Sequence, residues 1–211
     1  MTRQLIEGFK LFRKKEYESK SASMPALIRD GQHPKYFIIS CIDSRANPGF
    51  IFNPAPGTFF AHKAMGAIVR PYKQGTALAA ALQFALEYNK VETIIVLGHT
   101  NCGAVKALVE NIEDEEISGF VEVACSGLEK AKAQTESGDE TCIYRATEEQ
   151  IVLLSAKNLL SYPSVAKAVQ EHRVVIKPWL FDLHEGALLE YSPTENMFIP
   201  LAETQEPSTP V

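Results

Sequence analysis

Two short segments of this chain carry residue types suited to metal and proton chemistry. Cys41-Ile42-Asp43-Ser44-Arg45 sets a thiol ahead of a carboxylate and a guanidinium, and His99-Thr100-Asn101-Cys102 sets an imidazole and a second thiol within one turn. Two thiolates and an imidazole suit a zinc ion, and the H-x-x-C spacing lets a tight turn offer both of its side chains to that ion. Three protein ligands would leave a fourth position for water, as in catalytic rather than structural sites. A cation held this way brings the pKa of a bound water from 15.7 toward about 7. Asp43 and Arg45 lie on the same side of an extended segment, so a carboxylate–guanidinium pair forms easily. Held by Arg45, Asp43 can accept a hydrogen bond from the water; released, it can become a fourth ligand and shut water out.

Blander readings of the same residues stay open. The Asp43–Arg45 pair could merely brace its loop. Cys41 and Cys102 could form a redox disulfide, although neither lies in C-x-x-C. A Cys–His nucleophile pair would leave the second cysteine and the D-S-R segment without a role.

Cys41 and His99 are 58 positions apart, so the fold has to bring them together. Each follows a short run that is apolar on both faces, Tyr36–Ser40 and Thr93–Leu97, the pattern of a buried parallel strand. Thr58–His62 reads as a further strand. Gly75–Tyr88 reads as a helix with Leu78, Leu82 and Leu86 on one stripe, and another helix begins near Ala104. The acidic stretch Glu110–Glu116 reads as a solvated helix end or loop. Ile143–Leu160 and Val165–His172 read as helices separated by Tyr162-Pro163. Arg173–Ile176 reads as a strand and Phe181–Tyr191 as a hairpin turning at Glu185-Gly186. The alternation predicts an α/β fold: a central, mostly parallel β-sheet flanked by helices on both faces, with an N-terminal helical arm and a C-terminal β-hairpin. Ligands of such sheets gather at the carboxyl ends of strands, where Cys41 and His99 stand.

The chain reads as a single domain over residues 1–211, with a helical arm over 1–30 and a loose tail over 203–211. In the arm, residues 2–20 form an amphipathic helix carrying Leu5, Phe9 and Phe12. A short helix over Pro25–Arg29 stops at Gly31. With 45% hydrophobic and 22% charged residues, the composition excludes wholesale disorder. No apolar run nears the roughly 20 residues that span a bilayer, and the start lacks the features of a signal peptide. A net charge of −5 argues against a general nucleic-acid binder. The expected location is the cytoplasm, with neither nucleic acid nor membrane as partner. Cys125 and Cys142 are expected as free thiols, and His33, His62, His172 and His184 as packing or surface histidines.

C-x-D-S-R, followed about sixty positions later by an apolar strand ending in G-H-x-x-C-G, closely resembles the β-class carbonic anhydrases. The resemblance runs from Gln32 to Glu110 and resumes at Pro178–Leu183, which is similar to the W-x-Y-D hairpin of that class. It implies one zinc ion per subunit on Cys41, His99 and Cys102, an Asp43–Arg45 dyad, and reversible hydration of carbon dioxide to bicarbonate and a proton by zinc-bound hydroxide. It also implies a homodimer or higher homo-oligomer in which the first helix embraces the partner. Gln32 matches a substrate-binding glutamine of the plant-like subclass, whose site stays open. The closing subclass has a tryptophan where this chain has Ile38, so an open site is expected. Phe60 and Phe84 are expected to wall the substrate pocket, Phe84 standing in place of a common tyrosine. The chain departs from the class at Lys63-Ala64-Met65-Gly66-Ala67, where relatives read R-N-x-x-N. A pocket made more apolar this way keeps two alternatives in view: hydrolysis of carbonyl sulfide or carbon disulfide on the same zinc, and a noncatalytic zinc-binding scaffold.

Overall fold

In the computed structural model, which describes residues 2–135 and 140–201, six strands form one sheet. They are β1 (Tyr36–Cys41), β2 (Phe59–Ala64), β3 (Thr93–His99), β4 (Val175–Asp182), β5 (Ala187–Ser192) and β6 (Met197–Pro200). Their order is β2-β1-β3-β4-β5-β6; the first four are parallel, and β5 and β6 join antiparallel. The helices are α1 (Arg3–Arg13), α2 (Met24–Asp30), α3 (Pro48–Ile51), α4 (Ala77–Gln83), α5 (Gly103–Val109), α6 (Glu115–Val121), α7 (Cys125–Gln134), α8 (Glu140–Leu159) and α9 (Pro163–Gln170). α1 and α4 each run on into a wider π turn, Lys14–Glu18 and Phe84–Tyr88. The predicted tail over 203–211 lies outside the described residues.

The apolar runs of β1 and β3 take the centre of the sheet because both of their faces can be buried there. On one face Phe37, Ile39, Ile94, Val96 and Leu180 pack beneath α4, α8 and α9 through Leu82, Leu86, Val152, Leu159 and Val165. The opposite face is thinner than a full helical layer. Ile38, Ile95 and Leu97 are covered there by Ile51 and Phe52, with Trp179, Phe181 and Leu188 beside them. The Lys177–Glu190 ion pair bridges β4 and β5 nearby.

Gly98 sets how closely α8 lies on β3. A Cβ at this position would fall 2.3 Å from Val152 Cγ2, so only glycine permits the observed approach. α8 is thereby fixed against the strand whose next residue is His99.

Several elements differ from the sequence-based expectation, the helices α3 and α7 among them, which were not foreseen. The strand expected over Arg173–Ile176 and the hairpin arm expected from Phe181 are one continuous strand, β4, which runs through Pro178; the β4–β5 ladder begins at Trp179, so the missing N–H interrupts no antiparallel pair. The acidic stretch passes into α6 at Glu115, and β6 follows the Pro193–Asn196 turn as a strand not foreseen. At the other end of the chain, α1 forms as expected but buries none of its residues.

Candidate metal centre

β1 and β3 are adjacent and parallel, with Ser40 opposite Leu97, so their carboxyl ends emerge side by side. Cys41 closes β1, His99 closes β3, and Cys102 is the N-cap of α5. The tight passage between the last two uses Asn101 in the left-handed region, at φ 56°. The ligand atoms of Cys41, His99 and Cys102 all lie within 4.8 Å of one another, and all three residues are buried. Among the described residues no other group of His, Cys, Asp or Glu converges in this way.

The imidazole is oriented for coordination. Its Nδ1 lies 2.8 Å from the Thr100 carbonyl, which fixes a proton on that nitrogen, so that in the neutral ring Nε2 is a bare acceptor. Nε2 is buried and has no hydrogen-bond partner. Cys41 Sγ accepts N–H groups from Gly66 at 3.2 Å and Asp43 at 3.4 Å. The Cys102 thiol donating to Cys41 drives the Cys41 pKa down and its own up, so one thiolate forms readily. Burial opposes protonation of His99, but the Cys41 sulfur and the Thr100 carbonyl outweigh it and hold the imidazole above its ordinary value. Two sulfurs and an orphaned nitrogen, enclosed and electron-rich, fit a borderline-soft divalent cation.

Asp43 stands beside this cluster, its Oδ2 4.0 Å from His99 Nε2. Arg45 grips both carboxylate oxygens, Nε to Oδ1 at 3.1 Å and an Nη to Oδ2 at 2.8 Å, while its backbone N–H adds a bond to Oδ1 at 2.8 Å. The guanidinium is the main reason the Asp43 carboxyl is lowered to about 2. The segment that departs from the family pattern wraps the same place: Ala64 is in register with Cys41, and Gly66 supplies its amide to Cys41 from φ 63°. A Cβ on Gly66 would meet Ala104 Cβ at 2.8 Å.

The turn bearing His99 and Cys102 is braced from outside. Thr100 N–H donates to the Phe181 carbonyl at 3.0 Å, and Leu183 N–H donates to Thr100 Oγ1 at 2.8 Å. Arg145 on α8 ties to Asp182 at the end of β4 and to Glu149, both at 2.8 Å. Glu148, which sequence reasoning missed, accepts the Cys102 N–H at 3.1 Å. Burial pushes its carboxyl up to about 7, against the pull of that amide and of Arg145. One signal could have found it: Glu148 shares a helical stripe with Ile151, Val152, Ser155 and Leu159, all buried.

The remaining expected site residues stand apart from the cluster. Gln32 is exposed, ahead of β1, and its side chain makes no hydrogen bond among the described residues. Phe60 is opposite Phe37, four rungs before the Ala64–Cys41 pair, or about 13 Å along the strand. It meets Phe84 edge-to-face at 5.9 Å, and Phe84, 51% exposed, stacks on Tyr88. Cys125 and Cys142 are exposed and outside the cluster. His62 is half-buried on β2, and burial lowers its pKa.

The carbonic anhydrase family profile matches residues 36–188. The carbonic anhydrase of Pseudomonas aeruginosa is 28% identical over 211 aligned residues, covering 97% of this chain and 94% of its own length. The solved β-carbonic anhydrase CcaA superposes with a TM-score of 0.82 at 25% identity, over 95% of this chain and 99% of the other. One of two tetrameric β-carbonic anhydrases from the ascomycete Sordaria macrospora shares the fold with a TM-score of 0.71 at 22% identity, over 90% and 92% of the two chains. The matched span holds β1 to β4 and the whole Cys41–His99–Cys102 cluster, and the chain is an enzyme of the carbonic anhydrase family, in its β class.

Proposed function

We propose that this enzyme catalyses the reversible hydration of carbon dioxide to bicarbonate and a proton, with one zinc ion per subunit on Cys41, His99 and Cys102. The convergence of those three ligand atoms within 4.8 Å carries the reading, together with the family. Zinc held there would supply the Lewis acidity that makes water a nucleophile near neutral pH. Asp43, ionised and clamped by Arg45, accepts a hydrogen bond from the attacking water and aims its lone pair at the carbon of the substrate. Because Arg45 occupies both of its oxygens, Asp43 is kept off the ligand cluster, which supports an open site.

Gln32, Phe60 and Phe84 fit this scheme as the substrate-side wall contributed by a neighbouring copy, since Phe60 is remote from Cys41 in its own. A homodimer or larger homo-oligomer would allow that, and the tetrameric Sordaria relatives support it. The uncovered apolar stripe of α1 supports an arm laid on the partner.

Zinc content and stopped-flow carbon dioxide hydration, measured on one preparation, test the proposal. Stoichiometric zinc with hydration that disappears on chelation is expected. Full turnover in metal-free protein would refute it, as would a zinc-loaded protein that releases sulfide from carbonyl sulfide but leaves carbon dioxide untouched.

A further inference from the structure

The peptide group joining Asn101 to Cys102 is held at both of its ends. Its carbonyl accepts from the Arg45 guanidinium at 3.2 Å, and its N–H donates to Glu148 Oε1 at 3.1 Å. The two partners come from different parts of the fold, Arg45 from the turn after β1 and Glu148 from the middle of α8. This peptide plane has Asn101, in the left-handed region, on one side and the N-cap of α5 on the other. Rotation of the plane would swing the Cα–Cβ bond of Cys102 and carry its sulfur away from Cys41 and His99.

Glu148 is an expensive way to fill its position. It is 5% exposed, near a layer built from Ile68, Val105, Leu128 and Ile151. An apolar side chain of similar size would pack there without desolvating a carboxyl group. Packing therefore does not explain the glutamate, whereas the otherwise unpaired buried amide of a ligand residue does.

We infer that Glu148 is a positioning residue for the metal centre: with Arg45 on the opposite end, it clamps the Asn101–Cys102 peptide and so aims the Cys102 sulfur at the site shared with Cys41 and His99. This inference rests on the zinc reading above. It adds a residue that touches neither substrate nor metal and acts through the backbone of a ligand.

The test compares zinc-loaded wild type with Glu148→Gln, Glu148→Ala and Glu148→Met. Zinc release is followed with a chromophoric chelator, and ligand geometry is read from the thiolate-to-metal and d–d absorption of the cobalt(II)-substituted proteins. Glu148→Ala should weaken zinc binding by about 10–100-fold and shift the cobalt bands. Glu148→Gln, which keeps an acceptor of the same shape, should stay close to wild type on both readouts. Glu148→Met fills the apolar layer without an acceptor; it should remain folded by urea titration yet release zinc as Glu148→Ala does. A Met variant with wild-type zinc release and cobalt spectrum would overturn the inference, and so would a Gln variant as impaired as Ala. Wild-type protein that fails to bind zinc would instead overturn the functional reading beneath it.

Discussion

Arg45 and Asn101 are 56 positions apart in sequence, and the guanidinium of one donates to the carbonyl of the other at 3.2 Å. The same guanidinium holds Asp43, so one side chain fastens the Cys41 segment to the turn that bears His99 and Cys102. Lysine at position 45 would keep the charge but could not span a carboxylate fork and a carbonyl together. Loss of one charge-assisted bond is worth about 1.5–3 kcal/mol, which corresponds to about 10–100-fold in rate. Arg45→Lys, assayed with zinc in excess, is expected to lower kcat/KM for carbon dioxide hydration by that factor. Unchanged kinetics would remove the guanidinium from the arrangement of the site.

Asp43→Asn separates charge from shape. The amide keeps the size of the carboxylate but cannot form the ion pair or accept through both oxygens. Zinc should be retained and hydration should fall by about 10²–10⁴-fold, the range for losing a positioned proton acceptor. Zinc analysis and stopped-flow assays on the same samples decide it, and wild-type turnover would take Asp43 out of the reaction.

The same variant gives a pH signature. Arg45 first, aided by its backbone amide, lowers the Asp43 carboxyl from an ordinary 3.8 to about 2 in the folded protein. A depressed folded pKa favours the ionised native state, so its stabilisation is fully present above the unfolded value and is lost as pH falls through the folded one. The difference in urea midpoint between wild type and Asp43→Asn should thus be constant above about pH 5 and close as pH drops from 3.8 toward about 2. A difference that persists unchanged at the acid end, or that closes on raising the pH, contradicts the assigned pairing.

Gly98 offers a test of how the scaffold fixes His99. Alanine there would place its Cβ 2.3 Å from Val152 Cγ2, an overlap that the Val152 side chain, or α8 against β3, must shift to relieve. Overpacking of this kind costs about 1–3 kcal/mol. Gly98→Ala should lose that much stability in urea. Adding Val152→Ala should recover part of it, so the double variant is less destabilised than the two single effects summed. Simple additivity would mean that the strand and helix can part without penalty.

The Cys41–His99–Cys102 cluster was legible because Cys41 and His99 sit where apolar runs stop. Tyr36–Ser40 and Thr93–Leu97 announce strands by composition, and the next polar residues in line are Cys41 and His99 with its glycine neighbour. Asp43 and Arg45 were legible as a pair from their i, i+2 spacing, although that spacing suggests an extended segment and the structure joins them across a short 3-10 turn over Ser44–Ala46, capped by Asp43. Glu148 was not, since Glu148 and Glu149 are chemically alike in sequence. Only the docking of α8 decides that the first is buried against Cys102 and the second pairs with Arg145 near the surface. The extent of β4 was hidden by Pro178, whose harm depends on where the neighbouring ladder begins. The sequence also could not reveal that Phe60 lies four rungs from Cys41, because residue types and spacing do not record the register of β1 against β2.

α1 provides the last test, since nothing among the described residues covers the helix. Leu5 and Phe9 are 74% and 59% exposed, and no residue of the helix is buried. An 11-residue helix is too short to be stable alone in water, so its apolar stripe needs cover. A second copy of the chain is the cover that the proposed oligomer provides. The double substitution Leu5→Glu with Phe9→Glu should lower the mass seen by light scattering and reduce helical ellipticity, with zinc retained because no ligand lies in the arm. Hydration should fall along with the mass, because Phe60 and Phe84 would no longer reach a neighbour's site. Wild-type protein that is monomeric and fully active at micromolar concentration would remove both the arm and the shared pocket from the proposal.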